Sequence, residues 1–454
     1  MDMSFTKKFQ RKMKLFSDGS DLRKAKNVQD LTYIKILRIN LLLLGGWPKD
    51  KVTAKLKNGH GWHMAAINLI CYVTQIVYIK NNIGTLSSFE LGHSYITLFM
   101  TAVFTSRIIL VFTDKYHKIA AYFLESMHLM NHENKSDYAK ETHILVHKIS
   151  HVFTIYLFTM MVTGNSLFNI MPLYTNMSKG MFGSNRPENS TFEHSVYHSV
   201  PFDYTTKVGG YFVICIFNFY VTYFAASSFC THDLYLSLMV FHVWGHIRIL
   251  IHSFENFPRP AGAGKEVGSD GQSITDGVKY TDEEMENIFI RLREGIEHHN
   301  FIVDFASKMS NTFGEILFFY YTFHQVCGCF LLLELSQMDI KVLLRYGTMA
   351  FVLFQQLIQI SVIFELLGTS GEKLAIAIYA LPWECMDTKN KKLVYFMLCR
   401  SQISLNVKAL DMVSVGVQTM IAVSIEIILI LLHWELFRHS VIFVAKNLHH
   451  ADIT

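Results

Sequence analysis

Seven apolar runs, at roughly 62–79, 94–112, 148–171, 208–231, 313–335, 342–367 and 412–434, are each long enough to cross about 30 Å of hydrocarbon. They leave the chain little choice of fold class. A composition 51% hydrophobic and 14% aromatic, with only 7 Pro, excludes an ordinary soluble domain. The expected architecture is all-α, a polytopic membrane protein with seven transmembrane helices. An eighth apolar piece, LTYIKILRINLLLLGGWP, is shorter and interrupted by Lys35 and Arg38, which predicts an interfacial or re-entrant segment. The first thirty residues are basic and lack an apolar core, so no cleavable signal peptide is expected.

Charge and sequons give orientation independently. The segment before the first span carries Lys7, Lys8, Arg11, Lys12, Lys14, Arg23, Lys24 and Lys26, which the positive-inside rule places in the cytoplasm. Seven spans then put the loop at about 172–207 outside, and that loop holds two acceptor sequons, at Asn176 and Asn189. The C-terminus follows as extracellular. A third sequon, at Asn134, falls in a cytoplasmic loop and reads as a chance match. The seven cysteines lie within or beside spans and imply no disulfide framework; Cys327 and Cys329, two positions apart on a helix, face different sides.

Two helices outrun the bilayer. From Val208 to Ile251 the chain is apolar or aromatic almost throughout, with no Pro and, past its first turn, only Gly245. CTHDLYL in its middle offers nothing to make a turn, so one long helix leaving the membrane is expected. TDEEMENIFIRLREGIEHHNFIVDFASKMSN extends the fifth span in the same way, opened by a capping box at Thr281 and Glu284. Between them, PRPAGAGKEVGSDGQSITDG has loop composition. A segment as apolar as LYLSLMVFHVWGHIRILI outside lipid needs a protein cover, and the expectation is an anchor joining subunits rather than packing within one chain.

Plotted as a helix, the residues after Ser404 place Asp411, Ser414, Gln418, Ala422, Glu426 and His433 in one polar stripe among Val, Ile, Leu and Met. An ionisable Glu426 in such a span requires water or a partner, and on a symmetry axis that environment is a pore. A seam packed against another helix of the same chain is the alternative. Before this helix, GEKLAIAIYALPW reads as a short amphipathic helix presenting Tyr379 and Trp383 one turn apart for a subunit contact, and Lys389, Lys391 and Lys392 suit the cytoplasmic leaflet. The expected organisation is thus 1–58 cytoplasmic with the interfacial segment, 59–250 spans one to four, and 251–285 a cytoplasmic loop. It continues with 286–370 spans five and six, 371–403 the anchor helix and loop, 404–436 the pore-lining span, and 437–454 an extracellular tail.

GGWP (Gly45 to Pro48), Asp233 inside a long fourth helix, Tyr379 and Trp383 before the last span, and RSQ (Arg400 to Gln402) entering it make the chain resemble the insect odorant receptor family. That resemblance implies a ligand-gated, nonselective cation channel, usually a heterotetramer of an odour-binding subunit with a shared co-receptor, in the membrane of olfactory neurons. It implies subunit contacts at Tyr379, Trp383 and Arg400. It also implies a ligand site between the second, third, fourth and sixth spans, here Tyr95, Phe99, Met161, Gly164, Phe168, Tyr211, Ile214, Cys215, Tyr346, Met349 and Phe351. Such a lining suits small volatile hydrophobes. In the pore, Asp411, Gln418, Glu426 and His433 would face the axis, with Ile430 and Trp434 as the hydrophobic constriction. The loop after the fourth span and RSQ favour an odour-tuning subunit over a co-receptor, and the last span lacks the gustatory receptor signature. The chain also continues beyond Trp434 further than members of the family usually do. A G-protein-coupled receptor is the rival seven-span reading, but it places its N-terminus outside, and neither DRY nor NPxxY is present. An enzyme is the third class, prompted by 22 His, yet no HExxH-type spacing appears, and the pairs His298–His299 and His449–His450 read as solvated or snorkelling. No enzymatic activity, cofactor, metal or nucleic-acid partner is expected; the membrane lipid is.

Overall fold

The computed structural model describes residues 22, 25–48, 54–183, 186–187, 190–261, 279–336, 340–403, 405, 407–410, 413–430 and 432–433. The helices are α1 (Thr32–Leu43), α2 (Ala54–Asn82), α3 (Ser88–Val111), α4 (Asp114–Tyr122), α5 (Asp137–Ser178), α6 (Val208–Glu255), α7 (Asp282–Leu335), α8 (Ile340–Tyr379) and α9 (Thr388–Ser401). A tenth, α10, is the shorter apolar helix Val417–Ile430. Among the described residues six helices, α2, α3 and α5 to α8, are long and apolar enough to cross a membrane.

Four of the six are far longer than a bilayer. With 42, 48, 54 and 40 residues, α5 to α8 extend roughly 60–80 Å at about 1.5 Å per residue, against a hydrocarbon core of about 30 Å. The predicted elongation of α6 and α7 is therefore present, including the Thr281–Glu284 capping box, in which Thr281 N–H donates to Glu284 Oε2 at 2.8 Å. Two further elongations differ from expectation. α5 starts eleven residues before its predicted span, capped by Ser136. α8 runs without a break into the segment expected to be a separate amphipathic helix. The KLAIAIY stretch keeps an apolar face and has no helix-breaking residue, so nothing stops α8 until Pro382. Tyr379 ends α8 and Trp383 opens a separate 3-10 turn, so the two do not share a helix face.

Burial divides α6 sharply. Near its start only Tyr211, Ile214 and Asn218 are buried, while Phe212, Val213 and Ile216 face outward; from Ser227 to Val243 every residue is buried. That second half is covered by its own chain: α5, α7, α8 and α1 pack on it. The expectation that LYLSLMVFHVWGHIRILI lies at a subunit interface is corrected accordingly, because its apolar surface is already removed from solvent within one chain. α1 packs on the same core. Tyr33, Ile34, Leu37 and Leu41 sit in the main core, and Trp47 of GGWP is 1% exposed beneath Arg38.

Histidines tie this half together. His128 Nδ1 accepts from Met130 N–H at 3.2 Å and His242 Nδ1 from Leu129 N–H at 3.1 Å, which leaves each Nε2–H to point at Tyr33 Oη, at 2.7 and 3.4 Å. Burial and the neighbouring imidazoles hold His128 well below the usual histidine range. His298 bonds His246 Nδ1 at 3.0 Å and His299 is 2% exposed, so this pair belongs to the packed interior and not to solvent; His449 and His450 lie outside the described residues.

The last helix differs from the plotted one. The described residues between 405 and 416 are not helical: Lys408–Ala409 pairs antiparallel with Val413–Ser414, and this hairpin rests on α7, where Gly314 O accepts from Leu410 N–H at 3.3 Å. A Cβ on Gly314 would meet Lys408 O at 2.9 Å, so the contact requires glycine. Only from Val417 does the stripe have a helix to sit on. Glu365 Oε2 accepts from Val417 N–H at 3.1 Å, placing a carboxylate at the positive end of α10.

Candidate functional site

The segment 190–207 folds back into the bundle between α5 and α6 and is held there by buried side chains from four helices. His93 of α3 bonds Ser195 O at 2.8 Å, Asn218 of α6 donates to Val196 O at 2.8 Å, and Ser195 Oγ donates to Asn169 Oδ1 of α5 at 3.0 Å. Thr74 O of α2 accepts from Ser199 N–H at 3.0 Å. The segment braces itself as well: Tyr204 Oη donates to His198 O at 2.7 Å and Phe192 N–H to Thr205 O at 2.8 Å, with Arg186 over the Phe192 ring. Burial pushes the imidazoles of His194 and His198 down to about 4, so both are neutral at physiological pH. Asp203 lies at about 2, held there by Thr206 and Thr205, which donate to its carboxylate.

Beneath this lid is a cavity of about 190 Å³. Its walls come from α2, α3, α5, α6, α7 and α8: Met160, Met161, Gly164 and Phe168 on one side, Phe104, Phe229 and Phe323 toward the floor, and Tyr346, Met349 and Val352 opposite, with Ser195, Val196 and His198 of the lid above. An engineered hydrophobic cavity of about 150 Å³ holds benzene, so this space fits a ligand of one aromatic ring or a short aliphatic chain. The lining surface is mostly apolar, with Met, Phe, Leu and Val its commonest contributors among scattered amides and hydroxyls; methionines adapt their shape to a ligand, and aromatic faces accept either ring or chain.

Five of the eleven expected lining residues, Met161, Gly164, Phe168, Tyr346 and Met349, meet at this cavity. The other six sit elsewhere. Tyr95 stacks on Phe330 at 6.2 Å between ring centroids, Tyr211 and Cys215 pack with Phe192 under the lid, and Ile214 packs with Tyr197 and Tyr204. Phe99 and Phe351 point outward, 38% and 66% exposed. An apolar helix offers aromatics on all sides, and the span boundaries alone do not say which side faces in. What the expectation lacked were α2, through Asn68 and Gln75, and the lid. A polar residue in mid-span, which must face protein, was the available signal for both amides.

The floor is ionic. Arg107 of α3, 1% exposed, donates to Asp233 Oδ1 at 2.8 Å and to Phe229 O at 2.6 Å, with its guanidinium 4.4 Å from the Phe229 ring. Asp233 is thus the counter-ion of an arginine inside the bundle, satisfying a charge that would otherwise be stranded away from water.

On α10, Val423 and Ile427 are buried; Ile427 reaches Gly328 of α7, whose Cβ would lie 2.8 Å from it. Gln418, Glu426, Ile430 and His433 are exposed in the single chain, and Glu426 accepts from Gln325 of α7. Asp411 and Trp434 lie outside the described residues. At the other end, Tyr379 and Arg400 are exposed with Ile376, Tyr395 and Phe396, and Trp383 is half-buried. Asn176 is 0% exposed: its Nδ2 donates to Glu193 O at 2.8 Å and its Oδ1 accepts from Glu193 N–H at 2.9 Å. A glycan on that nitrogen would need room beside a side chain that is fully covered here. Asn189 lies outside the described residues. Among the described residues no group of three or more His, Cys, Asp or Glu is placed to hold a metal ion.

Comparison with solved structures finds the insect olfactory receptor OR5 from Machilis hrabei, with a TM-score of 0.67 at 12% identity over 88% of this chain and 97% of that one. A second structure of that receptor, in complex with eugenol, also gives 0.67, at 13% identity over 89% and 99% of the two chains. No curated protein matches by sequence. The model of the 7tm odorant receptor family matches residues 88–424, which runs from the start of α3 into α10. The chain belongs to the odorant receptor family and is a multi-pass membrane protein of that fold.

Proposed function

We propose that this chain is the odour-tuning subunit of a ligand-gated, nonselective cation channel, which binds a small volatile hydrophobe in the cavity under the lid and works in a heterotetramer with a co-receptor in the plasma membrane of olfactory neurons. The observation that carries the reading is the Met- and Phe-lined space of about 190 Å³ within the bundle. The solved receptor of this fold in complex with eugenol supports a ligand of that size. α10 acts as the seventh span, with the N-terminus cytoplasmic and the C-terminus extracellular. Glu426 and His433 line the pore and Ile430 narrows it. The exposed apolar residues of α10, Ile421, Ile425, Ile428, Leu429 and Ile430, suit lipid or another subunit, whereas the exposed polar positions Gln418, Glu426 and His433 need water or a polar partner, which a pore supplies. Tyr379, Arg400 and the exposed aromatics beside them make the cytoplasmic subunit contact, with Trp383 supporting it.

The test is current recording from cells expressing the chain with a co-receptor subunit. A Cβ on Gly164 would have only Val352 nearby, at 3.8 Å, so Gly164→Ala should retain the response, whereas Gly164→Leu should fill the cavity and raise the half-maximal ligand concentration by about tenfold or more. Equal responses from both variants at normal surface expression would remove the cavity as the ligand site. In the same cells Glu426→Gln should lower divalent permeability, and Ile430→Ala should raise ligand-free current.

A further inference from the structure

Asn68 and Gln75 lie seven residues apart on α2, hence on one face, and both line the cavity. They are 2% and 3% exposed. Asn68 Nδ2 donates to Thr105 Oγ1 at 2.6 Å, and Gln75 Nε2 donates to Thr101 Oγ1 at 3.0 Å. The amide orientations follow from the threonines. Thr105 Oγ1–H is spent on Thr101 O at 2.8 Å and Thr101 Oγ1–H on Thr97 O at 2.9 Å, so each hydroxyl can only accept from its amide, and the amide must present N–H to it. The two amide oxygens are left over. Asn68 Oδ1 and Gln75 Oε1 are buried and accept no hydrogen bond from any described residue. Nearby hydroxyls cannot supply one: Thr97 Oγ1 donates to Ser94 O and Thr222 Oγ1 to Asn218 O.

We infer that the cavity selects ligands carrying a hydrogen-bond donor, an alcohol or phenol hydroxyl, which donates to Oδ1 of Asn68 or Oε1 of Gln75. The inference rests on the cavity being the ligand site proposed above. A buried acceptor without a partner is unfavourable, and a hydroxyl relieves it, whereas an ether oxygen of the same size brings a further acceptor that also lacks a donor. Asn68 and Gln75, both on one wall, give a hydroxyl a choice of depth, each amide oxygen being reached by a small turn of its side chain, while the rest of the molecule stays in the Met and Phe lining.

Isomeric pairs isolate the hydroxyl from size: benzyl alcohol against anisole, and 1-hexanol against methyl pentyl ether. Affinities are read from ligand-dependent thermal stabilisation of the purified full-length chain in detergent, referred to the ligand concentration in the micelle. Each alcohol is expected to bind about 3- to 10-fold more tightly than its ether. Asn68→Leu and Gln75→Leu, which orphan no donor, should together bring that ratio to about one. Alcohols binding no better than ethers in the unsubstituted chain overturn the inference, as does an advantage that survives both substitutions. Gly164→Leu separates this from the parent reading: if it abolishes binding of all four compounds while the ratio in the unsubstituted chain is one, the site stands and donor selection falls. If none of the four stabilises the protein, both fall.

Discussion

The two halves of α6 are both rich in apolar and aromatic residues and have opposite surroundings. Around Tyr211, Ile214 and Asn218 one face is buried and the others are open, as for a helix set in lipid at the rim of a bundle. From Ser227 to Val243 the helix is buried all round, wrapped by α1, α5, α7 and α8. A run of Phe, Leu and Val is equally at home in hydrocarbon or in a protein core, so hydrophobicity alone does not locate the membrane. The lesson is in the polar residues. The lid half uses amides and hydroxyls to tie a loop over a space; the second half uses His242 and His246, with Tyr33 and His128 beside them, to fix neighbours in a dense core.

The largest test of that contrast is at the boundary between the halves. Asp233→Ala leaves Arg107 buried with no counter-ion, and a loss of about 3–5 kcal/mol in stability is expected, read as a fall in the thermal unfolding midpoint in detergent. Arg107→Leu combined with Asp233→Leu should recover most of it. If Asp233→Ala unfolds no earlier than the parent, the pair does not hold the halves together. A matched pair of glycines gives the next effect. A Cβ on Gly245 would lie 2.5 Å from Leu129 Cδ1 and 3.1 Å from Val146 Cγ2, and both neighbours are buried. Gly245→Ala should therefore cost about 1–2 kcal/mol by overpacking. Gly164→Ala, with 3.8 Å to its nearest neighbour, should instead gain about 0.5–1 kcal/mol from helix propensity. Equal effects would erase the claimed difference in packing density.

The smallest effect is confined to the lid. His194 and His198 titrate at about 4 when folded because burial disfavours the imidazolium, against about 6.5 in the unfolded chain. The unfolded form therefore binds more protons between those values, and lid stability is complete above about pH 6.5 and declines as pH falls toward 4. Amide protection factors, corrected for the slowing of intrinsic exchange with falling pH, should drop across 190–206 over that interval while those in α6 beyond Ser227 stay unchanged. A uniform drop would mean that the lid is not a separate unit.

Much of this was legible in the sequence, for identifiable reasons. Span-length apolar runs gave α2, α3 and α5 to α8, and the absence of Pro or Gly around CTHDLYL gave the unbroken α6. The subunit-interface reading of its second half failed because composition does not distinguish burial by the same chain from burial by another. The hairpin before α10 was missed because Asp411 and Ser414 fall at helical spacing by coincidence, while the glycine that admits the hairpin, Gly314, sits nearly a hundred residues earlier. In the site, Met161, Gly164 and Phe168 were recoverable from the family resemblance. Asn68 and Gln75 were signalled only as polar residues in mid-span; their partners, and the lid, depend on contacts between distant segments that no local pattern encodes.

The Arg107–Asp233 pair also sets a timetable for synthesis. The partners are separated by 126 residues, so a ribosome adding about 5–20 residues per second produces Asp233 roughly 6–25 s after Arg107. Throughout that interval α3 carries an uncompensated guanidinium at the membrane. The α2–α3 hairpin therefore cannot settle at its final depth until α6 arrives, and the nascent chain depends during that wait on the insertion machinery, or on lipid headgroups, to shield the charge. A variant lacking Asp233 makes the wait permanent, so its first defect should be retention in the compartment where the protein is made, before any ligand is encountered.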